Sequence, residues 1–153
     1  MTFRTLRRAG VLAACLTTLG AASLVTAGPA QAAVSCSGTV TFSKTVPSSN
    51  PVGELVIYYN SSNGGTNSAC FYHRGATYGN SALTGVQIAR CTQRSGEGRP
   101  CDFAAISAPD EGTYAYHAGP VGVTGTANYC VSAKGWIAWG GRVHSVDSLT
   151  QGC

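Results

Sequence analysis

Glu54-Leu55-Val56-Ile57-Tyr58-Tyr59-Asn60-Ser61-Ser62-Asn63-Gly64-Gly65 is the stretch that decides the fold. Leu55, Ile57 and Tyr59 interleave with Glu54, Val56 and Tyr58, a period of two in β-branched and aromatic residues, which is strand chemistry. The Asn-Gly that follows supplies the positive φ that a tight β-turn requires. These residues predict a hairpin of Glu54 to Asn60 with Ala69 to Arg74, turned over Ser61 to Gly65.

The same rhythm extends in both directions. Val40, Phe42 and Val46 alternate with Thr39, Thr41 and Thr45, and Val86 and Ile88 flank Gln87. Further strands are expected at Thr113 to His117, Val121 to Thr124, Asn128 to Ala133, Trp136 to Trp139 and Arg142 to Val146. Gly and Ser punctuate the chain between them, and no stretch of ten residues carries a helical stripe. The pattern predicts one all-β domain, a sandwich or closed barrel of about seven to nine strands.

Composition agrees with a folded chain and narrows its location. Only 10% of the 153 residues are charged, whereas 44% are apolar, so neither an acidic disordered tail nor a coiled coil is in question. Arg4, Arg7 and Arg8 precede an uncharged apolar run from Val11 to Ala27, and Ala30-Gln31-Ala32 follows Gly28-Pro29 as a small-x-small cleavage site. That is the layout of an export signal over residues 1–32, with the mature domain at 33–153. The run is too short and too rich in Ala and Thr for a spanning helix, so no membrane partner is expected after cleavage. Ala9-Gly10-Val11 after Arg7-Arg8 fits twin-arginine export poorly. Without the leader the formal charge of +4 falls to +1, from seven basic and six acidic residues. This charge gives no basis for binding nucleic acid; Glu97 and Asp102 interrupt the cluster of Arg90, Arg94 and Arg99.

Six cysteines remain outside the leader, and an even number in an exported chain implies three disulfides. Spacing alone permits about 15 pairings. Cys91 and Cys101 flank a Gly/Arg/Ser loop that can close on itself, and they are expected to pair. Cys36 and Cys153, at the two extremes of the mature sequence, are expected to join each other, which leaves Cys70 with Cys130. No C-x-x-C is present and no His is spaced from a Cys as in a zinc finger, so no metal or other cofactor is expected.

Catalytic signatures are absent. Gly79-Asn80-Ser81-Ala82-Leu83 lacks the second glycine of a nucleophile elbow, and there is no H-E-x-x-H or phosphate loop. Acid-base work would fall to His73, His117, Glu54, Asp110 or Glu111, with Arg74 to stabilise an anion. Each also has a plain structural reading; Asp110-Glu111, between Pro109 and Gly112, looks like a pair of turn acids. A binding role has its own candidates. Seven Tyr and two Trp supply flat rings with a polar handle, and Tyr114, Tyr116, His117, Trp136 and Trp139 are the residues expected to contact a ligand such as a glycan. The loop Thr92 to Pro100 could instead present Arg94 or Arg99 to a protease as an inhibitor. Asn60-Ser61-Ser62 matches a glycosylation sequon and is read here as turn chemistry.

Leu55-Val56-Ile57-Tyr58-Tyr59-Asn60-Ser61-Ser62-Asn63-Gly64 with Asn67 and Cys70, then Gly112-Thr113-Tyr114, Ala118-Gly119-Pro120-Val121, Val123 and Cys130-Val131, resemble the spore-associated protein A family of small exported actinobacterial proteins. The resemblance spans most of the mature domain. His117 and the Cys91/Cys101 loop depart from the family pattern. The resemblance implies a secreted, non-catalytic protein associated with the cell or spore surface, with cell-wall or spore-surface components as its partners. The competing expectations are a glycan-binding module, a small secreted hydrolase and a protease inhibitor.

Overall fold

The computed structural model describes residues 34–153; the export signal expected over residues 1–32 lies outside the described residues. Nine strands follow in order: β1 (Thr39–Val46), β2 (Gly53–Asn60), β3 (Thr66–His73), β4 (Ala82–Cys91), β5 (Phe103–Ile106), β6 (Asp110–Tyr114), β7 (His117–Thr124), β8 (Val131–Trp139) and β9 (Arg142–Asp147). They form two antiparallel sheets. Sheet A runs β1-β2-β3-β7 and sheet B runs β5-β4-β8-β9, with β6 also paired to β4. Strands β5 and β6 share one edge of β4 end to end, β6 against Ala82 to Val86 and β5 against Ala89 to Cys91.

Alternation assigns each strand an inner and an outer face. Leu55, Ile57, Ala69 and Phe71 of sheet A meet Val86, Ile88, Val131 and Ile137 of sheet B in one core, so the expected all-β domain is a sandwich. The predicted hairpin is present as β2 and β3, with Asn63, Gly64 and Gly65 all at positive φ in its turn. Phe71 occupies the middle of the core. A Cβ on Gly53 of β2 or on Gly135 of β8 would coincide with its ring, so those two glycines let one phenyl ring lie between the two sheets.

Four strand expectations need correction. Trp136 to Trp139 is not a separate strand, because Lys134-Gly135 is no break: Gly135 sits mid-strand in β8 to admit Phe71. His117 does not end the strand begun at Thr113 but opens β7, which runs through Gly119-Pro120. This edge strand accommodates the proline in an irregularity where the register slips between Ala69 and Phe71. Asp110 and Glu111 are not turn acids. They start β6, and Asp110 accepts hydrogen bonds from the Tyr114 hydroxyl and the Gly119 N–H, both at 2.5 Å, tying β6 to β7. Finally, a bulge at Thr41 turns Val40 outward, where it is exposed, while Phe42 packs on the core.

The disulfides join Cys36 to Cys70, Cys91 to Cys101 and Cys130 to Cys153. The small loop is as expected; the pairings Cys36 to Cys153 and Cys70 to Cys130 are overturned. Parity explains the difference. Cys70 lies on the outer face of β3, between Ser68 and Tyr72, so it cannot reach Cys130, which immediately precedes β8 of the opposite sheet. Its partner arrives from outside. The Ser68 hydroxyl donates to the Ser35 carbonyl at 2.6 Å, and the Val34 side chain fills the space over Gly122, so Val34 to Cys36 lies across the outer face of sheet A and delivers Cys36 to Cys70. At the other end of the sandwich, Gln151 exchanges backbone hydrogen bonds with Val131 and brings Cys153 beside Cys130.

Candidate functional site

The acid-base candidates divide between the core and one open face. His73 points inward from β3 and is fully buried, its Nδ1 3.0 Å from the Thr77 carbonyl oxygen and its Nε2 2.7 Å from the Thr84 hydroxyl. It is a satisfied core histidine with no access to substrate. Glu54, Tyr72 and His117 instead form a transverse row on the outer face of sheet A, because Glu54 pairs with Tyr72 and Tyr72 with His117 across three strands. Arg74 extends the row. Its Nε and Nη2 both donate to Glu54 Oε2 at 2.6 Å, and its guanidinium lies 4.9 Å from the centre of the Tyr72 ring. The His117 ring is tilted against Tyr72 at 5.6 Å.

Glu54, Arg74 and Tyr72 use their capacity within this face, whereas His117 is exposed and meets Tyr72 ring against ring. Ser43 donates to the remaining Glu54 oxygen. Burial, the largest influence on Glu54, works against ionisation, but the hydrogen bonds from Ser43 and Arg74 with the Arg74 charge outweigh it and hold its pKa below the ordinary value. A carboxylate bonded at both oxygens is a weak base and no acid at neutral pH. Burial and the hydrogen bond with Tyr58 raise the Tyr72 phenol above its usual range, and the two hydroxyls are 2.9 Å apart. Register places Tyr58 and Tyr72 four residues apart along the strands, roughly 13 Å. Both rings therefore lie along the sheet and point toward each other over Val56, which is buried although it faces outward. This part of the face, beside the Cys36–Cys70 bond, is built from tyrosines and one ion pair.

The aromatic candidates do not converge on one platform. Tyr114 and Trp139 pack on the rim of the core; the Asp110 hydrogen bond, followed by burial, raises the Tyr114 pKa. Tyr116 is exposed beside Tyr78, with ring centres 5.2 Å apart in edge-to-face contact. His117 belongs to sheet A. Trp136 alone lies on the outer face of sheet B, where its ring covers Gly85, its cross-strand partner, and its Nε1 donates to Glu111 Oε2 at 2.9 Å. The spacing of Trp136 and Trp139, three residues on a strand, already required opposite faces. The role of Gly85 beneath the indole could not be read without the register.

The Cys91–Cys101 loop is fastened along its length. Gly98 N–H donates to the Thr150 carbonyl, Thr150 N–H to the Arg99 carbonyl, and the Thr150 hydroxyl to the Gly96 carbonyl. Arg94 is exposed, as is Arg99, but the Arg94 guanidinium is engaged on a neighbouring tyrosine. It lies 4.6 Å from the centre of the Tyr129 ring and donates to the Tyr129 hydroxyl at 2.7 Å, and Arg90 approaches the same ring at 5.2 Å. Among the described residues, no three His, Cys, Asp or Glu side chains are grouped to hold a metal ion, and no helix is long and apolar enough to cross a membrane.

The fold and its bonds define the class: a nine-stranded antiparallel sandwich with three disulfides, a chemistry suited to an oxidising, extracellular environment. Compared with protein-family models, curated proteins and solved structures, the chain matches none of them.

Proposed function

We propose that this is a secreted protein that works by association at a cell or spore surface rather than by catalysis, as its resemblance to the spore-associated protein A family implies. One observation carries the non-catalytic part of the reading. The carboxylate best placed for acid-base work, Glu54, is bonded at both oxygens by Ser43 and Arg74, and the most central histidine, His73, is sealed in the core. Export is supported by the leader-like sequence of residues 1–32 and by the disulfides. The small mature charge gives a non-specific polyanion little to attract it.

Fractionation of a sporulating culture, followed with an antibody to the domain, tests the reading. Retention on washed spores or cell walls is the expected result. A pool found wholly free in the medium sinks the surface association, and a substrate-dependent activity lost in Glu54→Gln or His117→Ala sinks the non-catalytic reading.

A further inference from the structure

The outer face of sheet B is organised around Trp136. Cross-strand pairing sets Glu111, Gly85, Trp136 and Ser145 in one row over four strands. Because a Cβ on Gly85 would coincide with the indole, the ring rests directly on the glycine backbone, and its hydrogen bond to Glu111 fixes it there. One face of the indole is thus spent on the sheet and the other is turned outward. On one side of the ring lie the exposed apolar residues Leu83 and Val143, the latter 65% exposed. On the other lie Gln87, Lys134 and Asp147, joined in the next row.

That composition selects a ligand chemistry. A pyranose with equatorial substituents presents axial C–H groups on its flat faces and hydroxyls around its rim. The C–H face suits the outward face of the indole, and the rim hydroxyls meet donors and acceptors on Gln87, Lys134, Ser145 and Glu111. Charges of both signs are interspersed here, Lys134 with Glu111 and Asp147, so the face gives no field to concentrate a polyanion. A groove of about 290 Å³ at Trp136 adjoins a second of about 410 Å³ lined by Trp139, and Val143 borders both. Val143, on the same outer face as Trp136, continues the surface from the first groove into the second, a run suited to successive sugars of an extended chain rather than to a single ring.

We propose that the outer face of sheet B binds an uncharged linear polysaccharide of equatorially β-1,4-linked pyranoses, stacked on Trp136. The proposal rests on the association reading and names the chemistry of the partner. Trp139→Phe leaves Trp136 as the single tryptophan, and its emission is followed while cellohexaose or chitohexaose is added. A saturable change with one or both is expected; the two arms distinguish a plain glucan from an N-acetylated one, and polygalacturonate is expected to give none. Trp136→Ala is expected to weaken retention on the corresponding insoluble polymer at least about tenfold. Should that variant not fold, Gln87→Ala with Lys134→Ala alters only the rim and is expected to weaken retention as well. Unchanged emission with both oligosaccharides, or retention unaffected by these substitutions in folded protein, overturns the platform. Protein that stays on washed spores yet ignores both sugars disproves the saccharide site alone; protein lost from both disproves the association reading too.

Discussion

Glu54 and Arg74 stand at adjoining strand ends on the outer face of sheet A, and their effect on stability depends on pH. The folded-state pKa of Glu54 lies below its ordinary value of 4.5. Its contribution is therefore present above that value and is lost as pH falls through the lowered one. The Arg74 side chain is 37% exposed, so solvent screens the pair to about 0.5–1 kcal/mol. Glu54→Gln is expected to lower Tm at pH 7, with the gap to the unaltered protein closing as the pH falls below 4.5. Thermal melts across that range check it, and a gap that widens in acid contradicts the assignment. Phe71 answers to a different force, packing. Gly135→Ala places a methyl group against its ring, and overpacking of this kind costs about 1–3 kcal/mol. Phe71→Ala leaves a cavity worth about 3–5 kcal/mol. Urea melts of both variants should show the smaller loss for the glycine change; an unperturbed Gly135→Ala variant would mean that the ring has room to move.

At the scale of elements, local pattern and long-range contact separate what could be read from what could not. The β2–β3 hairpin was legible because alternation and an Asn-Gly turn are both encoded within a dozen residues. The continuity of β8 was not, since Gly135 reads as a break until Phe71, far away in sequence, is set upon it. Strand β5 has no signature in the sequence, because Phe103-Ala104-Ala105-Ile106 is wholly exposed and shows no alternation. The disulfides repeat the lesson: Cys91–Cys101 is a local loop, whereas the partner of Cys70 depends on which face of β3 it occupies. Of the candidate site, the residue type Trp136 was visible in sequence, but its seat on Gly85 and its row with Glu111 exist only through register. One prediction belongs at this scale. Cys36 fastens Val34–Cys36 over the outer face of sheet A, so Cys36→Ser with Cys70→Ser should release that segment while both sheets persist. Hydrogen exchange would then show new exchange at β3 and β7 around Ser68 and Gly122, with β4 and β8 still protected. Equal loss of protection in β4 and β8 would mean that the bond holds the whole sandwich.

Across the whole molecule, the bonds and the core divide the work of stability. The disulfides span 34, 10 and 23 residues of chain, for which the loop-entropy relation gives roughly 3–4 kcal/mol each. Together they approach 10 kcal/mol, as much as the entire net stability of an ordinary domain at about 5–15 kcal/mol. The core is built on Leu, Ile and Val around one Phe, but four of its positions, Ala69, Ala82, Ala118 and Ala133, are alanine. A short side chain buries less apolar area and contributes less hydrophobic free energy. The protein reduced and alkylated at all six cysteines is therefore expected to lose its cooperative thermal transition at 37 °C, while the oxidised form melts in a single step. Removing bonds singly should rank by loop length, with Cys91–Cys101 costing least and Cys36–Cys70 most. Calorimetry on the three paired Cys→Ser variants decides between two accounts. A ranking by loop length means that the bonds act chiefly on the unfolded chain. A loss concentrated at Cys91–Cys101 would instead mean that the ladder from Gly96 to Arg99 onto Thr150 stabilises the folded sandwich directly, and that this loop is part of its structure rather than an appendage.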